Sequence, residues 1–173
     1  MGEKMALDRI NSLSKHEFVR TLGGIFEHSP WVAEEAFASA PFRTVDELHH
    51  TMMQEVSESS EDRVLSLFRA HPDLATRLRI SELSAAEQQG AGLDRLTPAE
   101  YERFSAYNFS YTRKFGFPFI FAVRGKTKAD IMEAMQRRLL CSPKEEREQA
   151  LQEIGKIARF RLNDLLDQLG KDE

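Results

Sequence analysis

Three polar residues stand where a side chain can do chemistry: His71 directly before Pro72, Glu87 in the run Ser84-Ala85-Ala86-Glu87-Gln88, and Arg161 on an apolar stripe near the C-terminus. Imidazole titrates near neutrality, which suits a histidine to proton transfer. A residue before proline is biased away from the α region, so a helix arriving from the N-terminal side should stop with His71 at the mouth of a turn. The same imidazole can instead cap the last carbonyls of that helix. Glu87 follows Ser84 at capping-box spacing, so it reads either as a helix-cap carboxylate or as an acid facing a ligand. Arg161 comes seven residues after Ile154 and four before Leu165. A buried arginine there must be paired or face a cavity, because an uncompensated interior charge costs several kcal/mol. Arg159 falls on a different helical face and is more easily solvated. Asn108 interrupts the stripe Tyr101, Phe104, Tyr111, Phe115 and needs buried hydrogen-bond partners of its own.

Other motifs carry less. Gly125-Lys126-Thr127 resembles the end of a phosphate-binding loop, but Ile120 stands where that loop needs glycine. Thr127 is better explained as a helix cap. Asn108-Phe109-Ser110 has the form of a glycosylation acceptor, yet it lies inside a helix of a chain without a secretory signal. The five histidines, His16, His28, His49, His50 and His71, show no one-turn spacing with a matched acid, so no metal site is expected. Cys141 is the only cysteine, which rules out an internal disulfide and fits a reducing compartment.

The elements that must hold these residues are helices. The chain has 173 residues, 41% hydrophobic and 30% charged, enough for one core, so a single domain over residues 1–173 is expected. A net charge of -4 without a basic block argues against nucleic acid. No apolar run has the length of a membrane span, so a cytoplasmic protein is expected. Ser14-x-x-Glu17, Thr44-x-x-Glu47, Ser84-x-x-Glu87, Thr97-Pro98-x-Glu100, Thr127 and Ser142-Pro143-x-Glu145 mark helix starts. Pro30 is expected at the first position of another helix. The stretch from Asp73 to Ile80 predicts a further helical turn or two, and residues 81–84 read as a break. Gly116 and Pro118 stop the helix that carries Asn108. Phe117 to Val123 is apolar, holds Pro118 and is too short for a helix, so it reads as a buried extended segment. The expected fold is an all-α, single-domain bundle of seven to eight helices with one short extended apolar segment.

Taken in order, His71-Pro72-Asp73-Leu74-Ala75, Ser84-x-x-Glu87-Gln88 with Ala91-Gly92-Leu93, Asn108-x-x-Tyr111-x-x-Lys114-Phe115-Gly116-Phe117-Pro118-Phe119 and Ile157-Ala158-Arg159-Phe160-Arg161-Leu162 resemble the 2-oxo-4-hydroxy-4-carboxy-5-ureidoimidazoline (OHCU) decarboxylases. Glu27-His28-Ser29-Pro30-Trp31 also fits that pattern. The resemblance implies an all-helical, cofactor-independent homodimer that converts OHCU to (S)-allantoin and carbon dioxide in urate degradation. It implies His71 as proton donor, Glu87 as the acid that orients the substrate, and an arginine, Arg161 or Arg159, against a substrate anion. Pro72 and the run Ser84, Ala85, Ala86, Glu87, Gln88 would border the substrate, with Asn108 nearby. The backbone of Ile120, Phe121, Ala122, Val123 and Arg124 would meet its ureido and ring atoms. The competing classes are a helical interaction module without catalysis, and a decarboxylase of a related ureido acid. If the enzyme reading holds, His71, Glu87 and Arg161 are expected to share one pocket.

Overall fold

The computed structural model describes residues 2–76 and 79–172, and every regular element among them is helical. The chain divides into two compact units, Met1–Ala70 with Gly155–Glu173, and His71–Ile154.

The first unit contains α1 (Gly2–Asn11), α2 (Lys15–Leu22), α3 (Trp31–Ala36) with a 3-10 turn at Phe37–Ser39, α4 (Val45–Ser57), α5 (Glu61–Ala70) and the later part of the long C-terminal helix. Its core gathers Phe18, Leu22, Val32, Leu48, Met52, Val56, Leu67 and Phe68, all buried. Phe18 meets Phe37 edge-on at 5.3 Å between ring centroids and stacks near Phe42 at 6.3 Å. The Ser14–Glu17 box forms with both of its hydrogen bonds. At Thr44 only half of the expected box forms: the hydroxyl accepts from the Glu47 amide, while the Glu47 carboxylate accepts from the Arg43 amide. Pro30 stands one place earlier than expected, as the cap of α3. Helix α1 was not expected, because its ten residues bury only Ala6, Leu7 and Ile10 and show no box at the start.

The second unit contains α6 (Glu82–Gly90), α7 (Pro98–Phe115), α8 (Lys128–Arg138) and α9 (Pro143–Leu169) as far as Ile154. The caps at Thr97, Thr127 and Ser142 form as the sequence predicts. Gly116 ends α7 at φ 81°, a left-handed conformation that glycine reaches without a Cβ clash. Phe117 to Val123 carries neither helix nor strand, and Phe117, Phe119, Ile120, Ala122 and Val123 are buried, as expected of an apolar connecting segment. Tyr111 joins it to α7, 5.3 Å from the Phe119 ring and 6.0 Å from Phe117.

Two local expectations fail here. The residues described between Asp73 and Ile80 form no helix, and Arg77 and Leu78 lie outside the described residues. Helix α6 starts at Glu82, in the stretch expected to be a break, because the Ser81 hydroxyl accepts from the Ser84 amide. The box expected at Ser84 is therefore displaced by an earlier cap, and Glu87 sits inside the helix instead of at its start. Ser81→Ala should lower stability by about 1 kcal/mol in urea unfolding, and an unchanged midpoint would return the cap to Ser84.

Candidate functional site

His71 opens the second unit as the first residue after α5 and is buried at 8% exposure. Pro72 beside it is half-buried. The turn that follows, Asp73-Leu74-Ala75, has no ladder of its own, so its polar groups are met by side chains. The Gln88 carboxamide takes two of them, with Oε1 accepting from the Ala75 amide at 2.9 Å and Nε2 donating to the Asp73 carbonyl at 3.1 Å. Asn108 Nδ2 donates to the Leu74 carbonyl at 2.8 Å. Ala75 lies at φ 61°, a left-handed conformation that costs a residue with a Cβ about 1–2 kcal/mol. Asp73 keeps one edge in solvent, yet desolvation raises its carboxyl above the ordinary aspartate range.

Helix α6 brings Glu87 and Gln88 to the same unit as His71. Ser84 and Gln88 are buried, Glu87 is half-buried, and Ala85 and Ala86 are exposed. A cleft of about 410 Å³ opens between the 73–76 turn and α7, lined in part by Asp73, Ala75, Tyr101, Asn108, Phe109 and Thr112. Asn108 lines it; His71 and Glu87 do not.

The Ile120–Arg124 backbone is held by buried charges that sequence reasoning did not single out. Arg138 Nη1 donates to the Ile120 carbonyl at 2.6 Å, and the Ala122 amide donates to Glu153 Oε1 at 3.2 Å. Arg138 Nε in turn meets Glu146 Oε1 at 2.8 Å, and its guanidinium lies over the Phe119 ring at 4.5 Å. The Tyr111 hydroxyl donates to the same Glu146 oxygen. Burial first, and then that hydrogen bond, push the Tyr111 hydroxyl above the ordinary phenol range, so it remains a donor. The available signal is the position of Arg138 on the apolar stripe of α8, after Ile131, Ala134 and Met135. Arg138 is buried there.

Arg161 belongs to the first unit and is 4% exposed. Its Nη2 donates to Glu27 Oε2 at 3.0 Å, and its Nη1 lies 3.4 Å from the carbonyls of both Gly24 and Ile25. Arg159 turns to another face, as periodicity predicted, and donates to Asp46 and Asn163. Glu27 is a partner the sequence did not identify by role, although it stands in the Glu27-His28-Ser29-Pro30-Trp31 run. His28 next to it holds φ 46°, in the sparsely populated left-handed region. Among the described residues no group of three or more His, Cys, Asp or Glu is arranged to hold a metal ion. No helix among them is long and apolar enough to cross a membrane.

Comparison with known proteins bears on the whole chain. A family model described as OHCU decarboxylase matches residues 11–163. The 2-oxo-4-hydroxy-4-carboxy-5-ureidoimidazoline decarboxylase of Haloferax volcanii is 43% identical over 92% of this chain and 95% of its own. The uric acid degradation bifunctional protein of Bacillus subtilis is also 43% identical, over 96% of this chain, which spans only 34% of that longer protein. Among solved structures, an (S)-allantoin synthase superposes with a TM-score of 0.73 at 36% identity, covering 92% of this chain and 53% of that one. An OHCU decarboxylase crystallised in the presence of (S)-allantoin gives a TM-score of 0.68 at 25% identity, covering 87% and 97% respectively.

The ion pair at Arg161 makes a stability prediction independent of any activity. Arg161→Met leaves the Glu27 carboxylate buried without its guanidinium and should cost about 3–5 kcal/mol in urea unfolding. Adding Glu27→Gln should recover part of that loss. Arg159→Ala, which opens a solvent-exposed pair, should cost no more than about 1 kcal/mol.

Proposed function

Because the chain belongs to the OHCU decarboxylase family, we propose that it converts OHCU to (S)-allantoin and carbon dioxide, and that His71, Glu87 and Arg161 carry the reaction. The observation that carries the reading is the match of the family model across residues 11–163, a stretch that includes all three.

The chemistry asks little of a cofactor. When the bond from the ring to the carboxylate breaks, its electron pair is accepted by the adjacent ring imine and carbon dioxide leaves. A proton then adds to the ureido-bearing carbon while the ring hydroxyl becomes the carbonyl and gives up its proton, the ring nitrogen that took the electron pair ends protonated, and the face of the carbon that receives its proton decides the enantiomer. His71 delivers it, a role that typically contributes about 10²–10⁴-fold to rate. Its burial supports the assignment, since a proton donor shielded from water transfers to one face without exchange with solvent. Glu87 orients the ureido side of the substrate. It does so from inside α6, half-buried and away from the helix cap. Arg161 meets the substrate carboxylate, a pairing for which guanidinium geometry is suited, while Arg159 serves the surface.

Pro72, Ser84, Ala85 and Ala86 border the substrate in this reading. Within the Ile120–Arg124 segment, the Ile120 carbonyl, the Ala122 amide and the Val123 carbonyl are already engaged inside the protein. Backbone contacts to the ureido and ring atoms come from the rest of this segment, with Phe121, Val123 and Arg124 contributing. The chain acts as one catalytic domain over residues 1–173 and works as a homodimer in the cytoplasm. Exposed apolar side chains such as Phe109, at 66% exposure, support self-association, and the lone thiol of Cys141 suits a reducing compartment.

Freshly generated OHCU, followed by circular dichroism of the allantoin formed, tests the proposal. The protein should accelerate loss of OHCU over its spontaneous decay and yield one enantiomer. His71→Asn should lower the catalysed rate by about 10²-fold or more and let racemic product accumulate, with the far-ultraviolet spectrum unchanged. Near-normal turnover and enantiomeric purity in that variant would remove His71 from its role.

A further inference from the structure

We propose that Glu27 is a positioning residue for Arg161 that also weakens the hold of its guanidinium on the departing carboxylate, an inference that rests on the decarboxylase reading above. The geometry of the pair carries it. Arg161 Nη2 donates to Glu27 Oε2 at 3.0 Å, and the two side chains are only 2% and 1% exposed. Arg161 Nη1 lies 3.4 Å from the carbonyls of Gly24 and Ile25. All three acceptors belong to the connection between α2 and α3, within the same unit as Arg161. One guanidinium therefore meets a full negative charge and two carbonyl dipoles before any ligand arrives.

A buried arginine needs a counter-charge, which either the protein or the ligand can supply. If the ligand supplied it, the substrate carboxylate would be attracted most strongly before reaction. Decarboxylation then removes that charge, because the electron pair passes to the ring imine and carbon dioxide leaves neutral. Attraction present in the ground state and lost in the transition state lowers KM and kcat together. Glu27 supplies the counter-charge instead. The substrate carboxylate shares the guanidinium with a second carboxylate, so it is oriented by charge-assisted hydrogen bonding but attracted less. A residue that only kept Arg161 in place would act alike on charged and neutral ligands. One that tempers its charge acts on anions.

Two probes of the same shape separate these roles: N-carbamoylglycine, a ureido carboxylate, and N-carbamoylglycinamide, its neutral amide. Their dissociation constants should be measured for the parent protein, Glu27→Gln and Glu27→Asp at one fixed pH, because the His28 imidazole lies 3.7 Å from Glu27 Oε1. The glutamine keeps an acceptor for Arg161 Nη2 and removes the charge. We expect Glu27→Gln to bind the carboxylate about tenfold more tightly and the amide within about twofold of the parent. With OHCU as substrate, KM and kcat of this variant should both fall about tenfold, while the allantoin stays a single enantiomer. Glu27→Asp retains the charge, so its preference between the two probes should remain within about threefold of the parent's.

Carboxylate binding in Glu27→Gln no tighter than in the parent overturns the proposal, as does a fall in kcat with KM unchanged or raised; either outcome leaves Glu27 a structural counter-ion. Equal gains for both probes overturn it as well. Should Glu27→Gln be unfolded alone, saturating N-carbamoylglycine should restore its far-ultraviolet spectrum where the amide does not, and recovery with neither or with both overturns the proposal. If the parent protein leaves OHCU decay unaccelerated, the decarboxylase reading has failed, and the charge effect at Arg161 is then judged on the two probes alone.

Discussion

Buried backbone without a helix or sheet ladder is the constraint around which the His71–Ile154 unit is built. A peptide N–H or C=O removed from water must find a partner inside the protein or cost roughly as much as a lost hydrogen bond. Two stretches face this problem, the turn after His71 and the segment from Phe117 to Val123. Neither is regular, because Pro72 and Pro118 each lack the amide a helix would use and bias the residue before them toward extended backbone. Side chains supply what is missing. Gln88 and Asn108 serve the first stretch, and Arg138 and Glu153 serve the second.

The difference between the two sets of side chains is a difference in energetic consequence. Neutral amides are cheap to bury when paired, so Gln88 positions its part of the turn at little electrostatic cost, whereas Asn108 pairs its Nδ2 and leaves Oδ1 buried without a partner. Arg138 and Glu146 are nearly inaccessible, at 3% and 1% exposure, and two such charges recover their desolvation only with good geometry and further hydrogen bonds. Most are present: Glu146 accepts from Arg138 and Tyr111, and Arg138 also holds the Ile120 carbonyl and lies over Phe119, while its Nη2 is buried without a hydrogen-bond partner. A hydrophobic pair of the same volume would fill the space equally well, but it would leave the Ile120 carbonyl without its donor. The charge is explained by the backbone atom it reaches.

What the sequence reveals follows the same division between local and distant partners. Caps at Ser14, Thr97, Thr127 and Ser142 are legible because donor and acceptor lie three residues apart. Even there competition misleads, as when Ser81 takes the start of α6 from Ser84 and changes the meaning of Glu87. Periodicity shows that Arg161 needs a partner and that Arg159 does not. It cannot name Glu27, which lies 134 residues away. Asn108 reads as a polar residue with an unmet need, but its partner is a backbone carbonyl in a turn, and carbonyls leave no trace in residue identity. Glu146 and Glu153 read as ordinary charges of a long amphipathic helix until the irregular segment is seen packed against them. The resemblance names candidate reactive residues; the hydrogen bonds around them are visible only in three dimensions.

These observations bear on how a helical protein without an electron-sink cofactor can control such a reaction. If the substrate's own imine accepts the electrons, the protein's contribution reduces to geometry: which atoms face the carboxylate, the ureido group and the carbon that takes the proton. Helices place side chains well but consume their backbone groups internally, so they have few N–H or C=O groups to offer a ligand. An irregular segment has them, provided it is held still. Here the short non-helical stretches are fixed by side chains from neighbouring helices. Several backbone groups of each stretch are thereby committed to the protein. On the proposed mechanism the buried amides and charges would belong to the specificity of the site as much as His71 does, because the face of protonation would depend on backbone that they restrain.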